Sequence, residues 1–144
     1  MNASVVDASV AAKWVLPSAQ EKLVSEAVHL LDLNARGETE LVVPDLFWAE
    51  SGNLLWKAVR NGRCSRAVAV NGLATLKAHN LITVASAGLL EQAFMIAVAF
   101  NCSVYDSLYV ALAVESRAQL VTADERLANA VAAHLPVKWL GAWA

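Results

Sequence analysis

The 144-residue sequence predicts a single α/β domain with a central, mostly parallel sheet of about five short strands flanked by helices. Short runs of three to five residues recur along the chain. They are mostly apolar rather than alternating, the pattern of strands buried on both faces of a parallel sheet. Stretches of 11 to 19 residues with helical character separate most of these runs, which implies βαβ units joined by right-handed crossovers. Hydrophobic residues make up 58% of the chain and charged residues 17%. The usual apolar share is roughly 45–50%, so the composition excludes a disordered chain. At this length one core buries roughly two-thirds of the unfolded surface.

The elements follow in order. Ser4-Val5-Val6 is the first strand and stops at Asp7. Residues 18–36 form a helix that Gly37 closes as a C-cap. Leu41-Val42-Val43 is the second strand, ended by Pro44. The helix over residues 45–61 opens after that proline and ends at Gly62. A helix over residues 65–79 leads to the third strand at residues 81–84, and helices over 86–100 and 104–117 follow. Leu120-Val121-Thr122 is the fourth strand, residues 124–134 the last helix, and residues 137–140, after Pro136, the last strand. The 28 alanines favour helix and close packing of helices on the sheet. No repeat, low-complexity tract or linker divides residues 1–144.

The net charge is −2, from 13 acids and 11 Lys and Arg. That balance excludes a broadly basic nucleic-acid surface, and a phosphate partner would need metal ions or a local basic cluster. Cys64 and Cys102 form neither a C-x-x-C pair nor a secreted disulfide framework, so two reduced thiols in the cytoplasm are expected. The longest stretch without a formal charge, residues 92–105, has 14 residues. A membrane span needs roughly 18–20 apolar residues. The N-terminus lacks a basic n-region, and Asp7 interrupts its apolar run. The expectation is a soluble, cytoplasmic protein with no membrane partner.

In open α/β sheets, ligands bind beyond the carboxyl ends of the strands. Asp7 stands directly after the first strand, Asp124 two residues after the fourth, and Asp106 at the start of a helix. Each is also explained as a helix N-cap, the commonest role of an Asp before an apolar helix. Glu50 is harder to explain that way. It lies three residues after Phe47 and four before Leu54, on the apolar side of its helix, with no basic residue at i±3 or i±4. A carboxylate placed there is costly unless it is paired or coordinates a metal. Converging carboxylates repel and raise one another's pKa, and a hard divalent cation, Mg²⁺ or Mn²⁺, resolves the conflict through oxygen ligands. His29, His79 and His134 do not pair at ligand spacing, which argues against zinc.

Four segments carry a resemblance: Val5-Val6-Asp7-Ala8-Ser9 with Lys13-Trp14; Val43-Pro44-Asp45-Leu46 leading to Glu50-Ser51-Gly52-Asn53; Tyr105-Asp106-Ser107-Leu108-Tyr109-Val110-Ala111-Leu112-Ala113; and Leu120-Val121-Thr122-Ala123-Asp124-Glu125-Arg126-Leu127. In order, interval and total length, the chain resembles the PIN-domain ribonucleases, and within them the VapC-type toxins of type II toxin–antitoxin systems. The resemblance implies a PIN-like three-layer sandwich. It implies a metal site of Asp7, Glu50, Asp106 and Asp124 that is also the catalytic centre, with Mg²⁺ as cofactor and Mn²⁺ able to substitute. Thr122 resembles the hydroxyl residue that helps hold a water or the scissile phosphate, and Ser9 and Asn53 fall at supporting positions. The implied activity is metal-dependent endonucleolytic cleavage of RNA. The implied partners are an RNA substrate, a small antitoxin and a second copy in a homodimer.

Lys57, Arg60, Arg63 and Arg66 recur every three residues around Gly62, and Lys13 and Arg126 lie near two of the acids. They are candidate contacts to the RNA backbone, or an ordinary solvated helix end. Trp14, Trp48 and Trp56 are available for base stacking, buried packing or a dimer surface. A haloacid-dehalogenase mechanism wants a second acid two residues after the first, where Ser9 stands. A response-regulator receiver wants an acid after the third strand, where Ala85-Ser86 stands. The alternative from another class is a non-enzymatic interaction domain in which the acids are caps.

Overall fold

A computed structural model describes residues 2–142, except for the side chain of Gln20. The strands are β1 (Asn2–Val6), β2 (Thr39–Pro44), β3 (Ile82–Val84), β4 (Gln119–Thr122) and β5 (Val137–Trp139). The helices are α1 (Ala8–Val15), α2 (Val24–Ala35), α3 (Leu46–Arg60), α4 (Arg66–Ala78), α5 (Leu90–Phe100), α6 (Val104–Glu115) and α7 (Glu125–Val131). The strands form one sheet in the order β3-β2-β1-β4-β5. All four pairings are parallel, with Ser4 opposite Leu41 on one side and Gln119 on the other. The sheet is the predicted one, and parallel throughout.

The order reverses at β1. The chain builds outward through β2 and β3, then returns to place β4 and β5 on β1's other side. The switch point therefore lies between β1 and β4, and the residues that follow them, Asp7 and Ala123-Asp124, emerge at that crevice. Helices α1 to α4 pack on one another, while α6 pairs with α5 and crosses β1, β2 and β4. Right-handed connections assign the two groups to opposite faces, which makes three layers.

Helix α6 is apolar on all sides and is buried continuously from Ser107 to Ala113. With the strand residues Val5, Val6, Leu41, Val43, Leu120 and Val121 it forms the centre of the core. Both predicted glycine stops hold. Gly37 and Gly62 have φ of +74° and +73°. Glu38 N–H donates to Leu33 O and Arg63 N–H to Ala58 O, each closing its helix with a Schellman turn.

Three elements differ from expectation. An eight-residue helix, α1, follows Asp7 directly where none was predicted. The helix over 18–36 is broken: a 3-10 turn spans Ser18–Gln20, Glu21 is extended and Leu23 is left-handed, so regular helix starts only at Val24. The third strand is an edge strand with Ile82 exposed, not a strand buried on both faces. Cys64 and Cys102 are free. Among the described residues no single helix is long and apolar enough to cross a membrane. The one bent pair that passes on length and composition includes the buried α6.

Candidate active site

Asp7 is the N-cap of α1. Its Oδ1 accepts from the backbone N–H of Ser9 and Val10, at 3.1 and 3.4 Å, and from the Ser9 hydroxyl. Its Oδ2 accepts from the Thr122 hydroxyl across the switch point. Only 7% of Asp7 is exposed, and this burial pushes its carboxyl up to about 6, against the hydrogen bonds from Ser9, Thr122 and Val10 that favour the ionised form. The Asp106 charge adds to the rise. Thr122 is fully buried at the end of β4, and its Oγ also accepts from Asp124 N–H at 3.0 Å. Ser9 Oγ accepts from Ala123 N–H at 3.1 Å. These two hydroxyls tie the start of α1 to the end of β4.

Glu50 is carried by α3. That helix buries Phe47, Ser51, Leu55 and Ala58. Glu50 lies on the neighbouring row with Asn53, Leu54 and Lys57, all four of which line one cleft. Its Oε1 accepts from the Tyr109 hydroxyl at 2.6 Å. Partial burial raises the Glu50 carboxyl above its usual range and the Asp106 charge adds to this, while the tyrosine opposes it. Asp106 is in the first turn of α6, where Ser103, not Asp106, is the N-cap and accepts from Asp106 N–H at 3.0 Å. Burial, then the Asp124 charge, raises its carboxyl. Asp124 is the N-cap of α7 and accepts from Leu127 N–H at 3.2 Å.

The four acids come from four different segments and line one open cleft of about 410 Å³ together with Ser9, Asn53, Lys57, Tyr105 and Tyr109. Capping accounts for Asp7 and Asp124 but not for Glu50 or Asp106. Among the described residues no Lys or Arg forms a salt bridge with any of the four. No three Asp, Glu, His or Cys side chains among the described residues close on one chelating point. Hydroxyl and backbone donors engage the carboxylates of Asp7, Glu50 and Asp124. An all-oxygen, like-charged donor set, in which burial raises the Asp7, Glu50 and Asp106 carboxyls, suits a hard divalent cation.

Tyr109 is a site residue to which the sequence alone assigns no role. It is 1% exposed, and burial beside Glu50 and Asp7 raises its phenol, so it remains a donor. Its signal was positional: a tyrosine one turn after Asp106, in a helix buried on all sides, needs a partner for its hydroxyl.

The basic residues separate. Lys57 lines the acid cleft. Lys13 and Arg63 both bind Glu21, the lysine at 3.3 Å. Arg60 lies over the Trp56 ring, 4.7 Å from its centroid. Arg66 is exposed, and Arg126 lines a depression that borders Asp106 and Asp124. Trp14 and Trp48 are partly buried, donating to Ala27 O and Thr83 Oγ. Trp56 is 53% exposed. His29 and His134 are exposed, and His79 caps the end of α4 against the Trp14 ring.

Comparison with known proteins places the chain in a family. The family described as PIN domain matches residues 4–132. Ribonuclease VapC3 of Pyrobaculum aerophilum is 33% identical over 132 residues, covering 87% of this chain and 92% of the relative. The crystal structure of PAE2754 from Pyrobaculum aerophilum superposes with a TM-score of 0.67 at 27% identity, covering 90% of this chain and 79% of that one. Mycobacterium tuberculosis VapC20, described as a toxin that cleaves the sarcin–ricin loop, superposes with a TM-score of 0.65 at 20% identity, over 92% and 95% of the two chains. VapBC2 of Rickettsia felis, bound to a DNA fragment from its promoter, gives 0.65 at 10% identity, over 95% and 98%. The last two likenesses concern the fold.

Proposed function

The chain belongs to the PIN-domain family, and from that premise we propose that it is a metal-dependent endoribonuclease, the toxin of a toxin–antitoxin pair. One observation carries the proposal: Asp7, Glu50, Asp106 and Asp124 line a single cleft at the sheet's switch point, and among the described residues no Lys or Arg forms a salt bridge with any of them. A partner-binding domain has no use for this arrangement, since caps explain only two of the four.

These four carboxylates would hold the cation, Mg²⁺ with Mn²⁺ as substitute. When bound, a divalent cation lowers the pKa of a water for in-line attack on phosphorus and neutralises charge on the phosphate. The chain's own residues set the geometry. Thr122 and Ser9 fix both oxygens of Asp7, and Tyr109 fixes Glu50. Hydrogen-bonded neighbours of this kind orient ligands and tune their basicity. Asn53 and Lys57 on the cleft wall supply polar and cationic contacts for the RNA backbone. The residue types provide no nucleophilic side chain and need none.

The partners follow from the same reading. An acidic cleft accepts a basic side chain from a small antitoxin, which would shut it in the resting cell. A second copy would bind the exposed apolar row of α5, Leu90, Phe94 and Val98, with Met95 beside it. Expression of the chain alone is expected to arrest growth, and Asp106→Asn to relieve it. Equal growth of cells expressing the two proteins counts against the toxin assignment while leaving nuclease activity open to the direct assay.

A further inference from the structure

Glu21 sits where the chain is least regular. The 3-10 turn at Ser18–Gln20 ends, Glu21 is extended, and Leu23 takes a left-handed φ of +59° before α2 begins. A left-handed leucine costs roughly 1–2 kcal/mol and persists only where its surroundings impose it. What this bend delivers is a carboxylate that bridges two cations. One Glu21 oxygen binds Lys13 Nζ at 3.3 Å, and the other binds the Arg63 guanidinium. The Lys13 and Glu21 side chains are each 11% exposed, while Arg63 is 38% exposed and presents part of its surface to solvent.

The cluster opens on a depression of about 380 Å³ with Lys57 and Asn61 on its wall. That depression runs into the acid cleft, since Ser9, Leu54 and Lys57 line both. On the other side, Asp106 and Asp124 border a third depression, so one groove passes over the four acids. Among the described residues, its Glu21 end is lined by the cationic side chains of Lys13, Lys57 and Arg63 and by the Glu21 carboxylate. A polyanion lying across the acids needs such a grip beside the repelling centre.

From this, we propose that Arg63 and Lys57, with Arg63 fixed in place by Glu21 and Lys13, clamp a phosphate of the RNA strand beside the scissile one. Arg63 and Lys57 touch substrate, and Glu21 and Lys13 are positioning residues. The proposal rests on the nuclease reading above. Its least obvious consequence concerns Glu21: removing this negative charge weakens RNA binding, because Arg63 loses its anchor, whereas a through-space charge effect alone would tighten it.

The test uses the full chain and a labelled single-stranded RNA. Binding is followed by anisotropy across a salt series in the Asp106→Asn background, and KM and kcat for cleavage are measured in the otherwise wild-type chain. Arg63→Gln and Lys57→Gln should each reduce the slope of log K against log salt by about 0.7. Each should raise KM several-fold and leave kcat within about twofold. Arg63→Lys should keep most of the slope, and Glu21→Gln should raise KM. Arg36→Gln, at the far end of α2, should change nothing. Unchanged slope and KM in Arg63→Gln and Lys57→Gln, in an enzyme that cuts RNA, would overturn the clamp. Tighter binding by Glu21→Gln would overturn the positioning role. Should Glu21→Gln fail to fold, the half-exposed Arg63 variants decide. A folded wild type that cuts no RNA with Mg²⁺ or Mn²⁺ overturns the nuclease reading instead, however the variants bind.

Discussion

Asp7 shows how one residue serves both fold and site. It caps α1, receives donors on both oxygens, and is nonetheless buried deeply enough to hold its proton up to about pH 6. In the unfolded chain it titrates near 3.8. Between those values the folded state binds the extra proton, so metal-free stability falls as pH rises from about 4 through 6. At about 1.4 kcal/mol per pH unit the loss is on the order of 3 kcal/mol. His79, whose pKa burial lowers, works in the opposite direction, so the contrast with a variant is needed. Thermal unfolding of the metal-free chain at pH 5 and 7.5 is expected to show this fall, and Asp7→Asn to reduce it to the part that the raised Glu50 and Asp106 carboxyls contribute. A divalent cation should restore much of the lost stability at pH 7.5.

Glu50 was legible because it is an unpaired acid on an apolar helix. Tyr109 was not, because a tyrosine in an apolar run reads as core until its hydroxyl partner, 59 residues away, is known. Tyr109→Phe removes only that hydroxyl. It should lower cleavage about 10- to 100-fold, as loss of a ligand-orienting neighbour does, while far-UV circular dichroism stays native.

Helix caps separate structure from chemistry at the scale of elements. Ser65 caps α4 by accepting from Val68 N–H at 3.1 Å, remote from the acids. Ser103 caps α6 by accepting from Asp106 N–H. Either serine changed to alanine should cost about 1 kcal/mol in denaturant unfolding. Ser103→Ala alone should also reduce cleavage, because its cap holds the turn that carries Asp106. The elements misread from sequence have physical reasons. Helix α1 is eight residues, six of them Ala, Ser or Val, squeezed between Asp7 and Pro17, too short for a periodic signature. The break before α2 coincides with ion pairs from Glu21 to Lys13 and Arg63, both outside residues 18–36, so that segment alone does not reveal it. The exposure of β3 depends on strand order, which the three residues Ile82-Thr83-Val84 do not encode.

For the molecule as a whole, apolar composition and strand–helix alternation were sufficient to predict a single parallel α/β domain, while the site needed convergence of segments more than 100 residues apart. The net charge of −2 had spoken against a nucleic-acid partner. Four of the 13 acids line the proposed cation site, and cations gather at the Glu21 end of the groove, so charge distribution outweighs the total. Exposed apolar residues remain on α5, where Phe94, Met95 and Val98 are 59–71% exposed. Sedimentation should give twice the chain mass, and Phe94→Glu with Val98→Glu should give a folded monomer.

Cleavage of a structured RNA panel, run with Mg²⁺, with Mn²⁺ and with excess EDTA beside Asp106→Asn, bears most directly on the central claim. Cutting that requires the metal and falls by about 10²-fold or more in the folded variant is the expected result. Indistinguishable behaviour of the two folded proteins with every RNA and metal would contradict it.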